Sequence, residues 1–146
     1  MKCQDVMTTA PVCCVPDDLV IDAARLMRAQ DIGAIPVVTD QESQRLVGMV
    51  TDRDLAVRVI AEGRDVRTTL VGDVMSNQPV TCQLTDVYQD ALQAMGEHQV
   101  RRIPVVDDQG RLAGIIAQAD VATRLAQPST TGAVVEAISE PAGSSR

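Results

Sequence analysis

The stretch Ile35-Pro36-Val37-Val38 recurs unchanged as Ile103-Pro104-Val105-Val106, 68 positions later. Asp5-Val6-Met7 returns at the same spacing as Asp73-Val74-Met75. In total, 15 of the 36 positions from 5 to 40 are identical to the residue 68 positions on, where typical composition gives about two by chance. The chain therefore contains a duplicated unit, and a ligand site formed by one copy is expected to have a twin.

The composition limits the kind of core and the kind of ligand. Apolar residues make up 45% of the 146 residues, but aromatic residues make up only 1%. The core must therefore be aliphatic, and the chain lacks the aromatic side chains on which successive nucleic-acid bases stack. The net charge of −7 also argues against a general nucleic-acid binder, whose affinity comes mostly from clustered Lys and Arg.

The sequence also predicts a cytoplasmic protein that does not enter a membrane. No apolar run approaches the ~18 residues needed to span a bilayer, and the amino end lacks the apolar region of a signal peptide. The four cysteines form no Cys-x-x-Cys pair, and the single His98 adds little toward a zinc site. Two interpretations stay open for the cysteines: reduced, buried small hydrophobes, or a thiol switch at Cys13-Cys14.

Each copy has the apolar pattern of strand, helix, strand, strand and helix, which predicts a mixed α/β (α+β) fold. Acidic or hydroxyl residues stand where N-caps of the first helices are expected, at Asp17 and Asp18 in copy one and at Thr85 and Asp86 in copy two. The predicted segments are strands 12–15, 34–38 and 46–51 and a closing helix 52–62 in copy one, then strands 102–106 and 112–116 and a closing helix 118–125 in copy two. The predicted domain boundaries are 5–63 for the first domain, 64–72 for the linker, 73–126 for the second domain and 127–146 for a partly disordered tail.

The segment Gly48-Met49-Val50-Thr51-Asp52-Arg53-Asp54 carries the clearest chemical signal. A strand is predicted to end at Thr51, where a helix begins, so the Thr51 hydroxyl and the free N–H groups of the first turn would meet an anion such as a phosphate. Asp54, one turn on, would accept hydrogen bonds from vicinal hydroxyls such as those of a ribose. An equally weighted alternative is that Thr51 and Asp54 form a plain capping box and bind nothing.

These residues give the chain a family resemblance. The paired Asp-Val-Met openings, both Ile-Pro-Val-Val strands and the Gly-x-x-Thr-x-x-Asp segment resemble a tandem pair of CBS domains, over residues 5 to about 125. The resemblance is strongest to stand-alone bacterial two-CBS proteins, including the hypoxic-response type. It implies two β-α-β-β-α repeats packed through their sheets into one pseudo-two-fold module. It also implies a non-enzymatic regulatory role in which clefts between the copies bind AMP, ADP, ATP or S-adenosylmethionine.

The resemblance assigns roles in a first cleft residue by residue. Thr51 would contact a phosphate, Asp54 the ribose hydroxyls, and Arg53 would approach a phosphate from the same helix start. The adenine slot would be formed by residues from the opening of copy two and by one residue just before strand 102–106: Ser76, Pro79, Val80 and Val100.

The second cleft departs from this pattern. Asp120 keeps the ribose role, but Ala117 replaces the hydroxyl residue that would donate to a phosphate. Arg101 and Arg102 would compensate in part, or form only a solvated charged rim. The adenine slot there would consist of Thr8, Pro11, Val12 and Ile32. The sequence therefore favours the first cleft.

Three classes of function remain in competition. The first is a nucleotide sensor that signals to a separate protein partner and forms a homodimer through the apolar helix faces of 19–27 and 87–95. The second is a ligand-free dimerisation or interaction scaffold, which the replacement at Ala117 supports. The third is an enzyme, which we expect least, because the chain offers no nucleophile with a base, no catalytic residue and no metal constellation. No cofactor is expected to be required.

Overall fold

A computed structural model of the chain describes residues 1–119. The chain forms two compact units, and neither coincides with one repeat. Unit 1 contains residues 1–11, 80–108 and the described chain from residue 113 onward, whereas unit 2 contains residues 12–79 and 109–112. Each unit thus consists mainly of one repeat and also includes the opening segment of the other repeat. Within the described part, none of the helices has the length and apolar character needed to cross a membrane.

Short helices and strands alternate along the chain. The elements in order are α1 (Cys3–Val6), β1 (Thr8–Thr9), α2 (Val20–Gln30), β2 (Ala34–Val38), β3 (Leu46–Thr51), α3 (Asp52–Asp54) with a π-helix that continues it (Leu55–Ile60), α4 (Val71–Val74), β4 (Ser76–Asn77), β5 (Cys82–Gln83), α5 (Tyr88–His98), β6 (Arg102–Val106) and β7 (Leu112–Ala117). Unit 2 has a three-stranded sheet in the order β2-β3-β4, and unit 1 a four-stranded sheet in the order β1-β7-β6-β5. The predicted α+β class is confirmed.

The opening segment of each repeat adds one strand to the sheet formed mainly by the other repeat, and these two strands, β1 and β4, are called the exchanged strands. In unit 2, β4 pairs antiparallel with β3, and Ser76 lies opposite Met49. In unit 1, β1 pairs antiparallel with β7, and Thr8 lies opposite Ile115. The two exchanges follow the same register, because each of these four residues has its repeat equivalent in the corresponding pair.

A glycine makes each exchanged pairing possible. A Cβ on Gly48 would lie 2.7 Å from the Ser76 carbonyl oxygen, and one on Gly114 would lie 2.7 Å from the Thr8 carbonyl oxygen. Real Cβ atoms do not approach backbone oxygens so closely, so only glycine lets the two strands meet at this separation.

The two cores are aliphatic and sulfur-containing, as the composition predicts. In α2 the core-facing residues are Val20, Ala23 and Met27, spaced by three and four positions, and in α5 they are Ala91 and Met95. These faces pack into the cores of their own units. Val87, at the start of the second face, is 45% exposed, so the dimer contact expected through the faces of 19–27 and 87–95 stays a prediction.

The predicted helix caps are wrong. The backbone of Leu19 precedes α2 and that of Val87 precedes α5, and neither side chain makes a capping hydrogen bond. The Asp18 carboxylate instead accepts a hydrogen bond from the Val15 N–H at 3.0 Å. Asp86 accepts one from Gln83 N–H at 2.8 Å in the same way. Both aspartates bond to the residue three positions earlier, so they close the turn before the helix. The first N–H groups of the helices donate to backbone carbonyls instead, as Val20 N–H does to Thr69 O at 3.0 Å and Tyr88 N–H to Met1 O at 3.0 Å.

Two other predicted elements differ from the structure. The strand 12–15 reduces to a single parallel bridge between Cys14 and Val37. The closing helix 52–62 is α-helical only over its first three residues, and it then widens into a π-helix with hydrogen bonds such as Ala61 N–H to Ala56 O at 2.9 Å. The predicted closing helix 118–125 lies outside the described residues from position 120 on, and the predicted tail from residue 127 lies outside them entirely.

Candidate functional site

The Thr51–Asp54 segment lies where β3 passes directly into α3. The Thr51 hydroxyl accepts a hydrogen bond from the Asp54 N–H at 3.1 Å, and the Asp54 Oδ2 accepts one from the Thr51 N–H at 2.9 Å. The two residues therefore form a reciprocal capping box. Asp54 is only 8% exposed, and this arrangement holds its carboxylate at the helix start.

The free N–H groups expected in the first turn are fewer than the sequence predicts. Asp52 donates its N–H to the Gly33 carbonyl at 2.9 Å, and Asp54 donates its N–H to the Thr51 hydroxyl. Among the described residues, the N–H of Arg53 is the one in this turn without a protein acceptor. The Thr51 hydroxyl, which accepts in the capping box, still carries its own proton as a donor. An anion here would meet one N–H, one O–H and the exposed Arg53 side chain.

Arg58 is part of this site, although it lies outside the Gly48–Asp54 motif. Its Nε lies 3.8 Å from Asp54 Oδ1. Its Nη1 donates to the Val74 carbonyl at 3.2 Å and to the Met75 carbonyl at 3.5 Å. A sequence signal was available, because an arginine four residues after an aspartate on one helix lies on the same face. At 3.8 Å the Asp54–Arg58 contact is an ion pair and not a hydrogen bond, so Asp54 Oδ1 retains capacity to accept from a hydroxyl.

The other residues assigned to the first cleft divide between the two units. Ser76 and Pro79 lie in unit 2 with Thr51, Arg53 and Asp54. Ser76 is exposed on β4, the strand beside β3, and Pro79 follows two residues after β4 ends. Val80 and Val100 lie in unit 1: Val80 packs against that unit's core, and Val100 is 36% exposed.

The residues assigned to the second cleft divide in the same way. Thr8, Pro11, Arg101 and Arg102 lie in unit 1, whereas Val12 and Ile32 lie in unit 2. Thr8 and Arg101 are exposed, and Pro11, Val12, Ile32 and Arg102 are partly buried. Asp120 lies outside the described residues.

The end of β7 repeats the geometry of β3 without its hydroxyl. Ala117 ends β7 and is buried. Gln118 donates its N–H to the Arg101 carbonyl at 2.9 Å, just as Asp52 does to Gly33. The backbone hydrogen bond that follows the strand end is thus present in both repeats, whereas the hydroxyl donor is present only in the first, at Thr51.

The cysteines show no activating environment. Burial raises the pKa of Cys14 to about 12, and it also raises the pKa of Cys3, Cys13 and Cys82. All four thiols are free. Within residues 1–119, no three His, Cys, Asp or Glu side chains lie together as a metal site would require. These environments favour the interpretation of the cysteines as buried hydrophobes over that of a thiol switch.

Comparison with known proteins gives the same family from sequence and from structure. The family model described as CBS domain matches twice, at residues 3–60 and 71–127. The chain is 41% identical over 136 residues to the CBS domain-containing protein YhcV of Bacillus subtilis, covering 93% of this chain and 94% of YhcV. It is 37% identical over 122 residues to Hypoxic response protein 1 of Mycobacterium tuberculosis, covering 84% of this chain and 83% of that protein.

Two solved structures extend the comparison. A crystal structure of Hypoxic Response Protein I with two coordinated zinc ions matches with a TM-score of 0.78 and 36% identity, over 86% of this chain and 99% of the other. A crystal structure of CBSX2, a CBS-pair protein of Arabidopsis thaliana, in complex with AMP matches with a TM-score of 0.73 and 29% identity, over 84% of this chain and 94% of the other.

Proposed function

Because the chain belongs to the CBS domain family, we propose that it is a non-enzymatic regulatory module that binds an adenosine-containing ligand and signals to a separate protein partner. The observation that carries this proposal is the Thr51–Asp54 pair at the end of β3, beside the exchanged strand β4. Its support from relatives is the structure of CBSX2 with AMP, whose fold this chain shares.

The contacts of the pair suggest how a nucleotide is held. Asp54 Oδ1 accepts hydrogen bonds from the ribose hydroxyls, since its partner Oδ2 is engaged by the Thr51 N–H. The Thr51 hydroxyl, the N–H of Arg53 and the Arg53 guanidinium bind the phosphate. Ser76, Pro79, Val80 and Val100 form the adenine slot in this proposal. Because the donors near Thr51 are few, AMP is the first ligand to test, followed by ADP, ATP and S-adenosylmethionine.

A second, weaker site is proposed at the equivalent position of the other repeat. Asp120 holds the ribose there, and Arg101 and Arg102 replace the donor that is missing at Ala117. Thr8, Pro11, Val12 and Ile32 line its adenine slot. Because Ala117 is buried and has no hydroxyl, we expect this site to bind a phosphate less tightly than the site at Thr51.

We also propose that the module is a homodimer, with a contact that includes the π-helix Leu55–Ile60. The π-helix that follows α3 leaves Val57 47% exposed and Ile60 69% exposed. An Ile60→Glu variant should shift the protein toward monomer in light scattering, because it places a charge on an apolar surface. An unchanged mass would exclude this surface from the dimer contact.

The alternative is a scaffold that binds no nucleotide. It is favoured by one observation: the hydrogen bonds of the Thr51–Asp54 box are satisfied without a ligand. In that case Thr51 and Asp54 stabilise a helix start, and the function lies in the protein surface alone.

A thermal-shift experiment separates the two. Purified protein is heated with and without millimolar AMP, ADP, ATP and S-adenosylmethionine, and a ligand that binds the folded state raises Tm. Asp54→Ala should weaken binding by about 1.5–3 kcal/mol, as for a hydrogen bond to a charged group. The ligand-induced shift is the readout, since Asp54→Ala also lowers Tm by removing a cap. Asp22→Ala, an exposed aspartate paired with Arg25, is the control.

Each outcome is informative. No shift with any of the four ligands supports the scaffold. A shift that survives Asp54→Ala but is lost in Asp120→Ala moves the principal site to the second repeat.

A further inference from the structure

The Arg58 side chain contacts both Asp54, whose carboxylate is proposed to bind the ribose, and the segment that leads into strand β4. Its guanidinium faces Asp54 Oδ1 through Nε at 3.8 Å. Through Nη1 it donates to the carbonyls of Val74 and Met75, the last residue of α4 and the residue that follows it. Met75 directly precedes β4. The Arg58 side chain therefore contacts both the Thr51–Asp54 capping box and the junction between α4 and β4.

The chemistry of both contacts suits an arginine. The carbonyls at a helix C-terminus lack intrahelical partners and carry partial negative charge. A planar guanidinium presents several donors in fixed directions, so it contacts a carboxylate and carbonyls together, which a lysine ammonium does less well. The Asp54 side chain is 11% exposed, whereas that of Arg58 is 51% exposed. The buried carboxylate is therefore the fixed member, and it orients the more exposed arginine.

The sequence gives an independent observation. The spacing of Asp54 and Arg58 returns as Asp120 and Arg124 in the second repeat, 66 positions on. The threonine of the capping box does not return, because Ala117 stands at its position. The Asp-x-x-x-Arg spacing is thus kept in the copy whose sequence lacks the threonine, which a role only in capping does not explain.

We propose that Arg58 is a positioning residue that couples the state of the Asp54 carboxylate to the α4–β4 junction. In the free protein, the charge on Asp54 holds Arg58 against the carbonyls of Val74 and Met75. When a hydroxyl donates to Asp54 Oδ1, the attraction on Arg58 weakens and the junction loosens. This last step rests on the proposed function, whereas the coupling between Asp54 and the junction does not.

Amide hydrogen exchange in the absence of any ligand tests the coupling. The reporters are the N–H groups of Met75, Ser76 and Asn77, of which the Met75 N–H bonds to the Val71 carbonyl at 2.9 Å. Asp54→Asn keeps an oxygen for the Thr51 N–H but removes the charge. We expect exchange at these amides to rise about threefold in Asp54→Asn and about fivefold in Arg58→Gln, in the range of couplings between contacting residues. The double variant should match Arg58→Gln alone.

The matched control is Arg25→Gln. Arg25 faces Asp22 at the same 3.8 Å, but both side chains are more than half exposed and lie on α2. This variant should leave exchange at residues 75–77 unchanged. Arg58→Lys, which keeps the charge without the planar fork, should restore only part of the protection. If the effects of Asp54→Asn and Arg58→Gln multiply in the double variant, or if Arg58→Lys restores protection fully, the proposed coupling is wrong.

A titration with AMP separates this inference from the proposed function. If AMP binds, it should raise exchange at residues 75–77 in the wild type but not in Arg58→Gln. If AMP does not bind while the ligand-free coupling is present, the proposed function fails and the coupling stands. If AMP binds but the ligand-free effects multiply independently, the coupling fails and the proposed function stands.

Discussion

Arg45 and Arg111 lie directly opposite each other in an antiparallel bridge. The flanking hydrogen bonds run from Leu46 N–H to Gly110 O at 3.0 Å and from Leu112 N–H to Gln44 O at 2.8 Å. The two arginines are therefore a non-hydrogen-bonded pair, the kind in which facing side chains come closest. They occupy equivalent positions in the two repeats, so duplication of one arginine placed two like charges face to face.

Replacing one of these arginines with an acid should stabilise the protein. Like charges directly opposite across strands destabilise a sheet, and opposite charges stabilise it. We expect Arg45→Glu to raise the free energy of unfolding by about 0.2–1 kcal/mol, measured by urea denaturation. The gain should shrink in 1 M NaCl, where charges are strongly screened. Arg45→Gln, which removes the repulsion only, should fall between Arg45→Glu and the wild type; a loss of stability in Arg45→Glu would contradict the prediction.

Loss of the Thr51 hydroxyl should destabilise α3. Thr51→Ala removes the acceptor of the Asp54 N–H at 3.1 Å and should cost about 1 kcal/mol of folding free energy, as for other N-caps. Thr51→Ser keeps the acceptor and is the matched control. Equal stability of the alanine and serine variants in urea would show that the capping bond contributes little.

Two glycines should respond to alanine in opposite directions. A Cβ on Gly48 would lie 2.7 Å from the Ser76 carbonyl oxygen, so Gly48→Ala should destabilise unit 2 by about 1–3 kcal/mol, as overpacking does. Gly96 lies inside α5 and has nothing within 4 Å of a new Cβ. Gly96→Ala should therefore stabilise by about 0.5–1 kcal/mol through helix propensity. Thermal and urea unfolding of both variants give the two signs, and two changes of the same sign would refute the strand-approach argument.

The thiols should react in the order of their exposure. Because burial raises the pKa of Cys14 to about 12, almost none of it is thiolate at pH 8. Cys13 is partly exposed, although burial raises its pKa as well. We expect iodoacetamide to modify Cys13 first in the native protein, and Cys3, Cys14 and Cys82 only after unfolding in denaturant. Mass spectrometry of timed samples reads this order, and fast modification of native Cys14 would revive the thiol-switch hypothesis.

The turn between β2 and β3 should loosen in acid. The Ser43 N–H at 2.7 Å and the Ser43 hydroxyl at 2.9 Å, with the Glu42 N–H at 2.9 Å, hold the pKa of Asp40 below its usual range. Since the folded pKa is the lower one, the ionised carboxylate stabilises the turn above the unfolded value of about 3.9. That contribution is lost as pH falls through the folded pKa. An NMR titration should show the Ser43 N–H resonance moving with the Asp40 carboxyl, and Asp40→Asn should abolish the movement.

The sequence predicted the long strands well and the helix boundaries less well. The strands 34–38 and 46–51 were predicted to the residue, because their apolar runs end at turn residues. The caps were misplaced by one or two residues, since an aspartate before a helix can bond backward to the preceding turn, as Asp18 does, instead of forward to the helix. The exchanged strands β1 and β4 have two residues each, which is too short for an alternating pattern to appear.

The Thr51–Asp54 capping box was predicted from the sequence, whereas the hydrogen bonds around it were not. Thr51 and Asp54 were recognised because hydroxyl and carboxylate at this spacing form a capping box. The spacing of Arg58 from Asp54 indicates their ion pair, but its contacts with the Val74 and Met75 carbonyls could not be predicted, because backbone partners leave no mark in a sequence. The change from α-helix to π-helix at Leu55 could not be predicted either, because the apolar residues of this segment fit an α-helix as well.

The exchanged openings impose an order on folding. Unit 2 closes its sheet between Gly48 and Asn77, whereas unit 1 closes its sheet between Thr9 and Gly114. Closing the longer loop in unit 1 costs about 1 kcal/mol more in chain entropy. It also requires that nearly all of the described chain has been synthesised. During synthesis, unit 2 is therefore the first to complete its strand pairing. Thr8 and Thr9, although made before both Gly48 and Asn77, find their partner strand later than those residues do.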